Sequence, residues 1–448
     1  MAYDLVVKHG TLITAHNSYV ADLAVSGERI VALGHDLSGQ REINARGLYV
    51  LPGAIDGHIH LTDPTFPPYA LPTADSFATA SVAAAFGGVT TFIDFAQPAV
   101  GQPLIEELER RQEDADGHTV LDYSLHLNLR DPDPARLAEI PAIFKRGVPS
   151  FKLYFAYDGY RLPEIAIFRA MEAVARHDGL AIVHAENYDL IQELQRRLAT
   201  EGKTGPRWHT TMCPSIAEGE AIHRAIALAH EAGSRLLVFH VSCAEGVREV
   251  RQAKARRQAV WGETCPHYLI LTDALLQSDD FHAQSLMVHP PIRDAKHQAA
   301  LWQGLADITL DIISTDHCPR HPLEDRHPAG ASGIETRLAL VHTFGVKTGR
   351  LTLNQWVDAC CTRPAEVFGL PHKGKLAPGY DADVVLFDPN KNLALSPHHL
   401  HSPLNFSSYE GLTVTGFPVT TISRGEVIVE NGKFVGKPGR GRFVERGY

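Results

Sequence analysis

No apolar run in this chain reaches the roughly 20 residues that a membrane-spanning helix needs, which excludes a helical span. The opening stretch MAYDLVVKHGTLIT has no basic segment followed by an apolar one, so no secretory leader is expected. Clusters of lysine and arginine are missing too, and the net charge is -10. Non-specific nucleic-acid binding needs positive clusters that displace counterions, so that class is set aside. The six cysteines (Cys213, Cys243, Cys265, Cys318, Cys360 and Cys361) form no CxxC pair or disulfide-like framework. Reduced thiols in a cytoplasmic protein, packed as small hydrophobes, are the expectation. There is no internal repeat and no low-complexity segment.

What is present begins with two β-rich ends. From Tyr3 to Val50 short alternating runs are punctuated by Gly and Asn, and the texture returns in GKLAPGYDADVVLFDP and VTTISRGEVIVENGKFVG. Neither end has strands enough to close a core alone, so residues 1–50 and 375–448 are expected to pair into one small β-sandwich domain. Residues 51–374 alternate strand and helix signals. The strand candidates are Ala54–His60, Thr90–Ala96, Asp122–Leu129, Ser150–Ala156, Ala181–Glu186, Arg235–Ser242, Ala259–Cys265 and Thr309–Asp316. Helix-like stretches such as LPEIAIFRAMEAVARHDG lie between most of them and often close on Gly. Eight such units predict an α/β fold of the (β/α)8 TIM-barrel type. A doubly wound open sheet should carry a glycine-rich phosphate loop after its first strand, and HIHLTDP stands there instead.

Active sites of parallel barrels sit at the C-terminal ends of the strands. His58 and His60 end the first strand, two residues apart and so on one face. The fourth strand carries Lys152, the fifth ends in His184, the sixth in His240 and the eighth in Asp316. Each histidine alone reads as an ordinary core or surface residue, but four of them with an aspartate at one barrel mouth point to a metal site. Lys152 cannot ligate as an ammonium. Burial favours its neutral amine, which can react with carbon dioxide to give an anionic carbamate able to bridge two cations.

The order HxH, Lys, His, His, Asp on a barrel set in a split β-sandwich resembles the amidohydrolase superfamily. Within it the chain is similar to the cyclic amidases, above all dihydropyrimidinase and D-hydantoinase. The stretches IDGHIHL, AAAFGGVTTFIDF, SFKLYFAY, VHAEN, HVSCAEG, WGETCPHYLIL, TDHCP and VGKPGRGRF carry the likeness from end to end. The resemblance implies a binuclear centre, usually zinc: His58, His60 and Asp316 on one ion, His184 and His240 on the other, and a carbamylated Lys152 bridging both. It further implies that Tyr157 hydrogen-bonds the substrate carbonyl. A metal-bridging hydroxide would attack a ring amide, with Asp316 moving its proton to the departing nitrogen, and the ring would open to an N-carbamoyl amino acid.

Substrate choice is read from departures. Dihydroorotases place a carboxylate-binding arginine two residues after the second histidine, where this chain has Thr62. Allantoinases usually show Asn and then an acidic residue just after HxH, and Thr62-Asp63 departs from that; an allantoinase or another cyclic amidohydrolase is the alternative. His289 stands where hydantoinases usually have serine, and Ala329 where asparagine is common; both are carried as substrate-binding candidates. Phe66, Tyr69, Tyr154 and Phe155 are candidates for the wall against the ring substituent. A non-catalytic scaffold relative would have lost ligand positions, and all are filled here. The GRGRFVERGY tail resembles segments that pack between subunits, so a homotetramer or homodimer is expected.

Overall fold

The computed structural model describes residues 2–62, 73–321 and 330–448. Two sheets organise it. The first takes β1 (Tyr3–Ile13), β2 (Ser18–Ser26), β3 (Arg29–Gly34), β4 (Gly39–Asn44) and β5 (Tyr49–Pro52) from one end of the chain. From the other end it takes β14 (Val384–Ala394), β15 (Thr413–Ser423), β16 (Glu426–Glu430) and β17 (Lys433–Phe434). One edge of β1 is shared, with β4 along its first half and β5 along its second, so the sheet divides there. Antiparallel pairing of β5 with β14 joins the two ends. Val7, Leu23, Val50, Val384 and Ile422 from both ends meet in one apolar cluster. Burial of that cluster holds together two pieces that could not fold singly.

The second sheet is parallel and runs β6 (Ala54–Asp56), β7 (Val89–Ala96), β8 (Asp122–Asn128), β9 (Ser150–Tyr154), β10 (Leu180–His184), β11 (Arg235–Val238), β12 (Val260–Thr264), β13 (Ile312–Ile313), each beside the next. These eight strands are those expected from the sequence, and they form a nearly closed barrel. Helices such as Phe77–Phe86, Glu164–Ala175 and Ser215–Glu231 cover the outside. Inside, Ile55, Ile93, Phe95, Ile182, Leu237 and Phe239 fill the lumen below the mouth.

The seam between β6 and β13 departs from the expectation of two long strands: β6 stops at Asp56, and β13 has only two residues. Side chains close it. Asp56 accepts from the Thr315 amide at 3.1 Å and from the Thr315 hydroxyl at 2.7 Å. The buried Arg337 guanidinium donates to the Ile55 and Ile313 carbonyls at 2.8 and 2.7 Å. A single parallel bridge, Ile59 to His317, lies above them.

The C-terminal tail seals the other end of its own barrel. Arg446 is buried and donates to the Ser124 and Ser150 hydroxyls at 2.8 Å each and to the Phe368 carbonyl at 3.2 Å. The Val444 amide reaches the Tyr123 carbonyl at 2.7 Å. Among the described residues, no helix is long and apolar enough to cross a membrane.

Candidate metal centre and active-site cavity

The loop after β6 delivers His58 and His60. Gly57 precedes them because a Cβ there would lie 2.1 Å from the Phe368 ring, a collision only glycine avoids. The two imidazoles lie past the strand's end rather than on it, yet they converge. Their Nε2 atoms are 3.2 and 3.3 Å from one oxygen of Asp316. His58 stacks on Phe239 with ring centroids 3.9 Å apart, and His60 on Phe95 at 4.7 Å. Both rings are thereby fixed by packing as well as by charge.

Asp56 links this loop to Asp316. While it holds Thr315, its Oδ1 also lies 3.5 Å from the His58 amide. His317, next along, is pinned to the buried Asp75 at 3.0 Å, and its carbonyl accepts from the His60 amide at 2.8 Å. The histidine pair and the aspartate are therefore positioned by one set of hydrogen bonds across the barrel seam.

His184 at the end of β10 and His240 beyond β11 form a second pair, Nδ1 to Nε2, 2.9 Å apart. Glu186 fixes the His184 tautomer by accepting at Nε2, 2.9 Å away. Between the two pairs lies Lys152 on β9, 1% exposed, with its ammonium nitrogen 4.2 Å from the centroid of Phe239. Burial lowers its pKa to about 7, against the opposing pull of Asp316 and Glu263. Glu263 on β12 accepts from His58 Nδ1 at 2.7 Å and is fully buried. Burial pushes its carboxyl well above the ordinary range, with the Ser314 hydroxyl and Lys152 pulling the other way.

Burial also drives His58 and His240 well below the ordinary histidine pKa, which keeps their lone pairs available. The Asp316 carboxyl resists burial and is held well below its usual range, chiefly by His58 and His60. Neutral imidazoles and an ionised carboxylate are the protonation states a divalent cation requires. The donor atoms of His58, His60 and Asp316 all lie within 4.8 Å of one another, so this set fits such an ion.

Three residues around this centre have left-handed backbones that side chains rarely adopt: Tyr157 (φ 77), His240 (φ 43) and Asp316 (φ 48). Such conformations cost about 1–3 kcal/mol each and gather at functional sites. Tyr157 lies in the turn after β9, its ring centroid 4.4 Å from that of His184 and 5.8 Å from that of His289.

A cavity opens over the centre. It is lined by all six expected ligands with Tyr157, Tyr154 and His289, and also by Gln97, Tyr160, Cys318 and Arg320. Cys318 was expected only to pack, and Gln97, Tyr160 and Arg320, together with Glu263, Asp56 and Arg337, were given no role by sequence reasoning, although Asp56 and Glu263 stand inside the motifs IDGHIHL and WGETCPHYLIL.

Phe155, expected in the wall, is instead turned away. Lys152 and Tyr154 share the inward face of β9, whereas the Phe155 ring joins the core outside the barrel, with the Arg224 guanidinium 5.4 Å from its centroid. Phe66, Tyr69 and Ala329 lie outside the described residues. Thr62 puts no charge beside the histidine pair; its hydroxyl accepts from the buried Arg111 at 3.2 Å.

The amidohydrolase family model matches residues 49–428. A D-hydantoinase of Geobacillus stearothermophilus is 39% identical over 98% of this chain and 96% of its own length. The crystal structure of a dihydropyrimidinase from Brevibacillus agri superposes with a TM-score of 0.95 at 37% identity, covering 98% of each chain. An L-hydantoinase (dihydropyrimidinase) from Arthrobacter aurescens gives 0.90 at 31% identity, over 99% of this chain and 100% of that one. The chain belongs to the amidohydrolase family.

Proposed function

We propose that this protein is a divalent-metal-dependent cyclic amidase that opens the ring of 5-substituted hydantoins or dihydropyrimidines to give an N-carbamoyl amino acid. The observation that carries the reading is the convergence of His58, His60 and Asp316, beside the His184–His240 pair and the buried Lys152, on one small-molecule cavity. The full-length likeness to hydantoinases and dihydropyrimidinases supports the substrate class.

In this reading His58, His60 and Asp316 would hold one ion, and His184 and His240 the other, zinc by preference. The neutral Lys152 amine would react with carbon dioxide, releasing one proton, and the resulting carbamate would serve as a ligand common to both. When bound, the pair of cations polarises the scissile carbonyl and lowers the pKa of the attacking water toward neutrality. Glu263 accepts the His58 Nδ1 proton and so leaves Nε2 as the atom His58 would offer an ion. Asp316 takes the proton of the attacking water on its carboxylate and hands it to the ring nitrogen as the C–N bond breaks. Tyr157 donates its hydroxyl to the oxygen on which negative charge develops.

His289 and Ala329 would hold the planar –CO–NH–CO– edge through their main chains, and Tyr154 would contribute to the wall facing the substituent. Residues 51–374 form the catalytic unit in this account, with 1–50 and 375–448 as its β-sandwich companion. The enzyme works in the cytoplasm as a homo-oligomer, a dimer or tetramer that light scattering would detect. The test of function is product analysis on racemic 5-substituted hydantoins and dihydrouracil. Ring opening to the N-carbamoyl amino acid is expected, with one enantiomer preferred; a metal-loaded enzyme inert toward both rings would overturn the proposal.

A further inference from the structure

Behind His184, on the side away from the His58–His60–Asp316 cluster, a second set of ligand-type side chains meets. Glu186, Cys213 and His289 each offer one donor atom, and the three atoms lie within 4.8 Å of one another. They come from separate elements: Glu186 follows β10, Cys213 ends the short helix His209–Met212, and His289 sits before Pro290. The Cys213 sulfur is 3.9 Å from His289 Nδ1. Glu186 is 1% exposed and Cys213 fully buried. Glu186 spends one oxygen on His184, and its Oε1 is buried with no hydrogen-bond partner. A buried carboxylate oxygen without a partner is costly and calls for one.

The neighbouring charges leave room for a cation. Arg293, a fixed positive group beside the cluster, is paired with Glu218 at 3.0 Å, and its other nitrogens donate to the Ser242 hydroxyl and the Cys213 carbonyl. One carboxylate and one thiolate would balance a dication. Thiolate, imidazole and carboxylate together select thiophilic ions, which bind such donors at about 2.0–2.3 Å in tetrahedral geometry. Access is through the active-site cavity, since His289 is part of its wall.

We propose that Glu186, Cys213 and His289 form a third, inhibitory site for a thiophilic divalent cation such as Zn2+ or Cd2+, separate from the candidate binuclear centre. Binding displaces the Cys213 thiol proton to solvent and makes one metal–sulfur bond, with no change of oxidation state. It acts on the reaction in two ways. A cation on Oε1 weakens Glu186 as the acceptor that fixes the His184 tautomer through its other oxygen, and His289 is locked where it faces Tyr157. Excess cation therefore inhibits.

The test is a Cd2+ titration of enzyme already carrying its two ions, followed by thiolate-to-cadmium charge-transfer absorption and by bound-metal analysis. One extra equivalent with the absorption is expected in the wild type. Cys213→Ser should lose the absorption and weaken the extra equivalent at least about tenfold, whereas Cys318→Ser, at the other cysteine of the cavity, should keep both. These readouts do not depend on which ring the enzyme cleaves. Anomalous diffraction from Cd2+-soaked wild-type crystals serves where the variants fold poorly. A peak bounded by Cys213, His289 and Glu186 supports the site. Absence of an extra equivalent, its persistence in Cys213→Ser, its loss in Cys318→Ser, or a peak at a different cysteine would each overturn it.

Discussion

Glu263 touches no solvent and lines no part of the cavity, yet replacing it should loosen the metal centre. Its carboxylate accepts from His58 Nδ1 at 2.7 Å, and the same oxygen lies 3.4 Å from the His240 amide, so one side chain steadies a ligand of each proposed ion. Glu263→Leu removes the acceptor while roughly keeping the volume. Partners of this kind are worth about 10–100-fold in metal affinity, or about 1.4–2.7 kcal/mol. The range agrees with the roughly 1.5–3 kcal/mol of a hydrogen bond to a charged group. Glu263→Gln should fall between Leu and wild type, because an amide oxygen still accepts the same N–H but carries no charge. The assay is retention of bound metal against a graded chelator series, with denaturant midpoints checking that the variants are folded. If Glu263→Leu gave up its metal at the wild-type chelator concentration, the positioning role assigned to Glu263 would be refuted.

Lys152→Ala should lose metal and activity together, and a short carboxylic acid should restore part of both; full metal content and full turnover in the variant would exclude a bridging carbamate. Tyr157→Phe should lower kcat about 10²–10³-fold with little change in KM, as removal of one oxyanion donor does, and an unchanged kcat in steady-state assays would remove Tyr157 from the mechanism. Arg337→Met strips two buried carbonyls of the barrel seam, those of Ile55 and Ile313, of their donor. At about 1–3 kcal/mol for each unsatisfied group, the urea midpoint should drop markedly. Asp122 is held below its ordinary value of 3.8 against the effect of burial, by Lys373 at 2.6 Å and Arg424 at 3.0 Å. A depressed carboxylate pKa contributes stability above the unfolded value and loses it as pH falls through the folded one. The stability gap between wild type and Asp122→Asn should thus stay constant down to about pH 4 and close below it; a gap that widened in acid would contradict that sign.

What could be read from the residues was whatever lies on a strand or directly past one. Lys152 fell on a strand, and His58, His60, His184, His240 and Asp316 at or just past strand ends, of a recognisable alternating pattern, and all six line the cavity. The parity of β9 also carried information that went unused. With Lys152 facing inward, period two places Tyr154 inward with it, and Phe155 belongs to the opposite face. Asp56, Arg337 and Glu263 were opaque for a different reason. Each acts across the seam or between neighbouring strands, and nothing in the local sequence says which strand ends meet. The short β13 shows the same limit. Thr309–Asp316 reads as a full strand, but its pairing with β6 is made mainly by the Asp56 and Arg337 side chains. Cys213 belongs to no motif spacing, His289 was read only as a substrate contact, and only the folded chain brings the two together.

The central claim is that two divalent ions at the barrel mouth drive ring opening. It is tested most directly by removing all metal with a chelator, adding zinc back in measured equivalents, and following hydrolysis of a 5-substituted hydantoin at each step. The account predicts no turnover without metal, full turnover at two equivalents, and an N-carbamoyl amino acid as product. Undiminished hydrolysis by the metal-free protein, or none at any zinc level on either hydantoins or dihydrouracil, would contradict it.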